Sequence, residues 1–240
     1  MSEVGDNFIQ IPFSLSNLDR YLIRSSIKAA IDWALPALNG RLLDAGCGKM
    51  PYREYILKHS AVREYVGLDI ETALVYDEHI KPDYTWDGRT MPFENDSFES
   101  CIATEVLEHC PEPEILLREV HRVLKPGGVL FFTVPFLWNL HEVPRDEYRY
   151  TPFALERHLR NSGFVETELR ASGGWHASLA QMLGLWARRS PLSPRKRALL
   201  SVLIKPIMQY LIARDRDFDY SFAEGQMITG LYGLAKKKQA

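Results

Sequence analysis

Three aspartates fall where short apolar runs stop: Asp44 after Leu42-Leu43, Asp69 after Tyr65-Val-Gly-Leu, and Asp87 after Tyr84-Thr-Trp. Gly46 and Gly48 follow the first of them, and without Cβ atoms they allow a sharp turn and a close approach of backbone to a ligand. A strand, a glycine turn and an acidic residue about 20 positions further on make a nucleoside-binding α/β pattern, in which the acid accepts from ribose hydroxyls. A carboxylate at Asp44 would repel a pyrophosphate and favour a cation such as an ammonium or a sulfonium. Pro51 also stands where a dinucleotide fingerprint carries its third glycine, so the spacing speaks against a nicotinamide cofactor.

His109 and His141 are the histidines expected nearest a reacting centre, because imidazole titrates near neutrality and can accept a hydroxyl proton. The rival roles are a helix-start residue bonded to backbone for His109 and a structural partner of Glu142 for His141. The stretch from Pro135 to Thr151 gathers His141, Glu142, Arg145, Asp146, Tyr148, Arg149 and Tyr150, which offers hydrogen-bond partners and stacking faces to a substrate. A salt-bridged connector is the other reading of the same residues.

These groups need a scaffold, and the pattern supplies one. Apolar spacing predicts a helix from Asn17 or Asp19 to Leu35, with Tyr21, Arg24 and Lys28 on one side, and a short helix from Tyr52 to His59. Strands are expected at Arg41–Asp44, Glu64–Asp69, Asp83–Asp87, Ser97–Glu105 and Val129–Pro135. A helical stretch is expected at Glu71–His79, and a helix at Glu112–Leu124 that Lys125-Pro-Gly-Gly128 stops. A helix over Pro152–Asn161, a strand over Phe164–Leu169, two helical stretches and a strand over Met227–Lys236 complete the chain. Strand and helix alternating five times imply a parallel, doubly wound sheet, with ligands outside its carboxyl ends.

The motifs Leu43-Asp-Ala-Gly-Cys-Gly48, Gly67-Leu-Asp-Ile70, Met91-Pro-Phe-Glu-Asn-Asp-Ser-Phe98, Glu105-Val-Leu-Glu-His109 and Val123-Leu-Lys-Pro-Gly-Gly128 together resemble the class I S-adenosylmethionine-dependent methyltransferases of the type 11 group. The resemblance is dense from Arg41 to Pro135. It implies a Rossmann-like α/β sheet of seven strands, mostly parallel with an antiparallel last strand. It also implies S-adenosylmethionine as cofactor and S-adenosylhomocysteine as product. By the same resemblance Asp44, Gly46 and Gly48 surround the methionine part, Asp69 and Ile70 the ribose, and Asp87 and Gly88 the adenine, with Thr104 and Glu105 lining the fourth strand end. Lys49-Met-Pro51 departs from the family pattern, where many members have another glycine.

The 240 residues are 46% hydrophobic and 25% charged with a formal charge of -2, which fits one domain over residues 1–240. Within it, residues 41–135 are expected to form the cofactor-binding core and residues 136–225 an acceptor loop and a helical lid. Cys47, Cys101 and Cys110 lack paired spacing, and no metal is expected. The start lacks a basic segment followed by an apolar run, and Ala198–Ile212 is too short to span a bilayer, so a cytoplasmic protein is expected. Between Arg170 and Arg214 stand eight Lys and Arg and no Asp or Glu, which leaves the rest of the chain at -2 - 8 = -10. With Trp175, Trp186 and a run of Leu, Ile and Met, this segment is either a lid, in which Trp175 could meet the acceptor, or a peripheral contact with an anionic membrane. Nucleic acid is a poor fit, and oligomeric state is open. The expected activity is methyl transfer to oxygen of a small molecule or glycan, and the rival is a non-catalytic protein that only binds the cofactor or regulates a partner.

Overall fold

The computed structural model describes residues 7–71, 80–215 and 221–239, and the helix expected over Glu71–His79 lies almost wholly outside them. Seven strands, β1 (Asn39–Ala45), β2 (Ala61–Ile70), β3 (Tyr84–Trp86), β4 (Phe98–Thr104), β5 (Leu124–Pro135), β6 (Glu166–Ser172) and β7 (Gly230–Lys236), form one sheet in the order β3-β2-β1-β4-β5-β7-β6. β1 to β5 pair in parallel, and β7 inserts antiparallel between β5 and β6. The reversal of order between β1 and β4 is the switch point at which open sheets bind ligands.

Six helices matter to the site: α1 (Tyr21–Ala34), α2 (Arg53–His59), α3 (Pro113–Val123), α4 (Pro152–Asn161), α5 (Trp175–Arg189) and α6 (Pro194–Arg214). α1 buries Ile27, Ala30, Ile31 and Ala34 with Leu42 and Phe131 of the sheet, and α3 and α4 cover the other face with Leu116, Val120, Leu155 and Leu159. α4 begins where expected because the Thr151 side chain accepts from the Ala154 N–H and Pro152 occupies the first turn. β5 is longer than the sequence suggests. It starts at Leu124, and its pairing with β4 shifts between Phe98 and Ser100, so Lys125–Gly128 is an irregular strand entry rather than a separate stop.

The basic segment folds as a helical hairpin. α5 and α6 pack on one another and on the N-terminal side of α1, in a small core of Leu18, Leu22, Ala180, Ile204, Met208 and Leu211. Their outer face carries the exposed Leu199, Val202, Leu203, Ile207 and Tyr210.

Candidate active site

The carboxyl ends of β1, β2 and β4 open onto a cavity of about 430 Å³. Its floor is the glycine loop. Gly46 has φ +81°, and a Cβ there would stand 2.6 Å from Val106 Cγ2, so only glycine lets the loop close against β4's exit. The Gly48 N–H donates to Asp69 Oδ2 at 2.9 Å, and the Ile70 N–H donates to Asp69 Oδ1 at 2.8 Å. Burial raises the Asp69 carboxyl above its ordinary pKa, and these two bonds oppose the shift. Each oxygen keeps a lone pair for a further donor. Gly46, Gly48, Asp69, Ile70, Thr104 and Glu105 all line the cavity, so the structure brings six of the nine expected cofactor residues together.

Three stand elsewhere. Asp44 lies beneath the loop, almost fully buried, and accepts from the Tyr65 hydroxyl at 2.5 Å while its Oδ1 has no partner. Burial pushes its pKa up to about 7 against the pull of the Tyr65 bond. Asp87 and Gly88 belong to an exposed turn outside the cavity wall. The Asp87 carboxylate accepts from the Thr90 and Arg89 N–H groups, which lower its pKa, and Gly88 takes φ +80°. The β3 residue that does line the cavity is the preceding one, Trp86.

The other wall comes from the exit of β4. Glu105 takes φ +55°, a strained value for a side-chain-bearing residue, and is held by its N–H to Thr133 O and by its carboxylate, which accepts from Thr133 Oγ1 at 2.8 Å. Burial raises its pKa. Glu142, a second lining residue, also has positive φ, and Met50 between lining residues Lys49 and Pro51 is a third. Glu108 is fully buried with no hydrogen-bond partner on either oxygen, and burial together with the neighbouring Glu105 holds its pKa well above normal.

His109 lines the cavity. Its Nδ1 stands 2.9 Å from Arg145 O, which makes that nitrogen the donor and leaves Nε2 with a lone pair. Nε2 is 3.7 Å from Glu142 Oε2 and 3.8 Å from Glu108 Oε1. His141 is behind it, ring edge to ring face at 4.7 Å, outside the cavity wall. The His141 backbone N–H donates to Asp146 Oδ2 at 3.1 Å, and its Nδ1 approaches the same oxygen to 3.3 Å without hydrogen-bond geometry. Burial lowers the His141 pKa.

Of the residues expected in the acceptor loop, Glu142 and Arg145 reach the cavity. Arg149 grips Asp146 with two bonds of 2.7 and 2.9 Å. Burial works to raise the Asp146 carboxyl, but Arg149 and the His141 N–H outweigh it and hold it at about 2. The Tyr150 hydroxyl donates to Leu107 O and the Tyr148 hydroxyl to Pro111 O, each at 2.9 Å, so these rings staple the loop to β4's exit. Trp175 is exposed and donates its indole N–H to Gly225 O, away from the cavity.

Phe8, Arg24 and Tyr52 also line the cavity, and Arg24 stands 3.7 Å over the Phe8 ring. Arg24 lies on the side of α1 that also carries Tyr21 and Lys28, and the sequence committed none of the three to a ligand. Lys28 is instead spent on Asp32, at 2.7 Å, and on the Tyr55 hydroxyl. Nothing in the sequence marked Phe8.

Residues 43–132 match the family model described as a methyltransferase domain. An uncharacterized methyltransferase of Mycolicibacterium paratuberculosis is 36% identical over 105 residues, which are 42% of this chain and 40% of that protein. The match therefore spans well under half of that relative's length. The malonyl-[acyl-carrier protein] O-methyltransferase of Herminiimonas arsenicoxydans is 27% identical over 67% of each chain. Among solved structures, a Haemonchus contortus phosphoethanolamine N-methyltransferase 2 in complex with S-adenosyl-L-methionine superposes with a TM-score of 0.55 at 16% identity, covering 100% of this chain and 61% of its own. At that identity the superposition speaks for the fold alone, and the fold is the seven-stranded sheet with β7 antiparallel. The domain match and the relatives support an S-adenosylmethionine-dependent methyltransferase domain in the chain, over residues 43–132.

Proposed function

We propose that the protein transfers a methyl group from S-adenosylmethionine to an oxygen of a small molecule or glycan and releases S-adenosylhomocysteine. The observation that carries this reading is that the expected cofactor residues and the candidate acceptor residues line one cavity. Asp69, Ile70 and Trp86 suit a ribose and an adenine at the β2 and β3 ends. The Gly46–Gly48 backbone and the Arg24 cation suit the amino-acid part. His109, Glu142 and Arg145 line the same cavity and would be the groups to meet an acceptor. The naming of the Herminiimonas relative as an O-methyltransferase supports oxygen as the acceptor atom.

In the reaction, the acceptor oxygen attacks the methyl carbon in line with the carbon–sulfur bond, the bonding pair returns to sulfur, and the acceptor proton leaves to a base or water. The sulfonium is already activated, so positioning alone can supply roughly 7 to 11 kcal/mol of the barrier. A base adds about 10²- to 10⁴-fold, and the His109 Nε2 lone pair is the group on the cavity wall that suits this role. Calorimetric titration with S-adenosylhomocysteine and with NAD, then a methyl-release screen over sugars, phenols and lipid-linked glycans, tests the reading. Tight binding of S-adenosylhomocysteine with no methyl release from any acceptor class would favour a protein that only binds the cofactor.

We also infer that the α5–α6 hairpin meets an anionic membrane surface peripherally. The supporting observation is the stripe of exposed Leu199, Leu203, Ile207 and Tyr210 on α6, next to exposed Arg195 and Lys196 at its start. No helix among the described residues is long and apolar enough to cross a membrane. None of the residues lining the cavity belongs to α5 or α6, which speaks against a lid in this conformation.

A further inference from the structure

Glu108, His109 and His141 each offer one ligand atom, and the three atoms lie within 4.8 Å of one another. Glu108 is fully buried, and neither of its carboxylate oxygens has a hydrogen-bond partner. A buried carboxyl left in that state is costly, and such groups are ordinarily paired or bound to a metal. The Nδ1 of His109 is committed to the Arg145 carbonyl, so the Nε2 lone pair faces the Glu108 carboxylate at 3.8 Å and the Glu142 carboxylate at 3.7 Å. The buried Glu108 carboxyl and the His109 Nε2 beside it thus leave Glu108 short of a partner. A cation placed between them would supply one to both.

We propose that Glu108, His109 and His141 bind one divalent transition-metal cation beside the cavity. The donor set of two imidazoles and one carboxylate suits zinc, manganese, iron or cobalt rather than magnesium or calcium, which favour oxygen throughout. Both histidines have the outer partners that metal-bound imidazoles use: the Arg145 carbonyl orients His109, and the Asp146 carboxylate stands beside His141 at 3.3 Å. Arg149, whose charge acts on Glu108, is already held by Asp146 through two hydrogen bonds. Metal–ligand distances of about 2.0–2.2 Å require ligand atoms roughly 3–4 Å apart, so side-chain adjustments on the order of 1 Å would close the cluster. Spacing does not mark a metal site here: His141 is 32 residues beyond His109, and there is neither a cysteine pair nor a His-x-x-x-His pattern.

The inference rests on the proposed methyl transfer for its purpose. Three protein ligands leave coordination positions for an acceptor hydroxyl, and a bound cation would acidify that hydroxyl and hold its oxygen beside the cavity that would take the methyl donor. With the cation bound, His109 Nε2 would be a ligand rather than the base, and the acceptor proton would leave to water.

The test uses tag-free protein stripped with a chelator and dialysed. Cobalt(II) is added under absorption spectroscopy and zinc(II) under calorimetry, and S-adenosylhomocysteine binding is measured on the same samples. The expected result is one cobalt per chain with ligand-field bands, and a loss of affinity of at least about tenfold to a hundredfold in Glu108→Gln and in His141→Ala. A change at the exposed His176 should leave cobalt affinity unaltered. Wild-type protein that binds no cobalt saturably, or whose cobalt affinity is unmoved in whichever of the two variants keeps its helical circular-dichroism spectrum, overturns the proposal. Cobalt bound without S-adenosylhomocysteine sinks the cofactor reading and leaves the metal site standing; the reverse pattern does the opposite.

Discussion

The cavity and the α5–α6 hairpin depart from the ordinary partition of residues in opposite directions. At the cavity, carboxyl groups are taken out of water with too few partners: Asp44 has one unsatisfied oxygen and Glu108 has two. On the hairpin, large apolar side chains stay in water, with Leu199, Leu203 and Tyr210 each more than half exposed. Neither arrangement helps the isolated chain fold, since buried unpaired acids cost stability and exposed leucines contribute none. The rest of the sheet obeys the rule strictly, from fully buried Leu42 and Leu43 to Phe131 and Phe132. These two departures are best read together as an unfilled partner at each: a cation or cofactor inside, a surface outside.

The largest expected effect bears on the cavity. His141→Ala should lower turnover by about 10²- to 10⁴-fold, the range of a lost base or of the group that holds one. Because His141 stands behind His109 and outside the cavity wall, S-adenosylhomocysteine affinity should remain at the wild-type value. Steady-state rates beside a calorimetric titration check this. Full turnover in the variant would return the loop to a merely structural role.

The next effect concerns the cost of burying acid. The Asp44 pKa rises from 3.8 in the unfolded chain to about 7 in the folded one. Between those values the native chain holds a proton that the unfolded chain has released, so stability falls as pH rises through the window. The contribution is whole below pH 3.8 and gone above about 7, and at about 1.4 kcal/mol per unit it amounts to up to about 4 kcal/mol. Asp44→Asn keeps an acceptor for the Tyr65 hydroxyl without the charge. Urea denaturation at a series of pH values should therefore show the variant gaining on the wild type as pH rises from 4 to 8. A difference that does not change with pH would mean that Asp44 is ionised in the fold.

Asp69→Ala follows. Its carboxylate accepts from Gly48 and Ile70 on the cavity wall, and charge-assisted bonds of this kind are worth about 1.5–3 kcal/mol each. The variant should lose about one to two orders of magnitude in affinity for S-adenosylhomocysteine while staying folded, measured by calorimetry with circular dichroism as control. Unaltered affinity would detach Asp69 from the cofactor.

The two regions were unequally legible in the sequence. The glycine loop and Asp69 could be read because their geometry is local: a strand end, two glycines and an acid on the adjacent strand fix one another through neighbouring hydrogen bonds. Asp87 has the same type and spacing, yet its carboxylate turns to Arg89 and Thr90, because a short side chain beside Gly88 can satisfy its own turn. Spacing cannot tell which way such a residue faces. Arg24 and Phe8 reach the cavity only because α1 packs across the sheet, and Glu108 meets His141 only because the loop after β5 is stapled back by Tyr148 and Tyr150. Contacts made by tertiary packing leave no period in the sequence. The packing of the hairpin was less legible for a related reason. Its apolar residues surround α6 so evenly that the sequence pointed to no single buried face, and only packing shows that Ile204, Met208 and Leu211 turn inward while Leu203, Ile207 and Tyr210 do not.

The smallest effect sharpens the outer half of the comparison. Of the eight cations between Arg170 and Arg214, Arg170 pairs with Glu168 and Arg189 with Asp19, which leaves fewer free charges than the sequence suggested. Arg195 and Lys196 are exposed at the start of α6, close in sequence to the Leu199 end of the apolar stripe. Each basic residue near an anionic surface contributes about 1 kcal/mol, and the attraction fades over a Debye length of roughly 8–10 Å. The protein should therefore sediment with vesicles rich in anionic lipid at low salt and be released as salt rises, while neutral vesicles retain little of it. Arg195→Gln with Lys196→Gln should weaken the attachment by about 2 kcal/mol at most, without altering the cavity. Leu203→Ser with Ile207→Ser should weaken it independently of salt, since burial of apolar side chains is not screened. If both pairs of changes leave sedimentation untouched, the exposed stripe is not a lipid-facing surface. If only the apolar pair matters, and the protein's mass in solution also falls with dilution, the stripe is covered by a second copy of the chain instead.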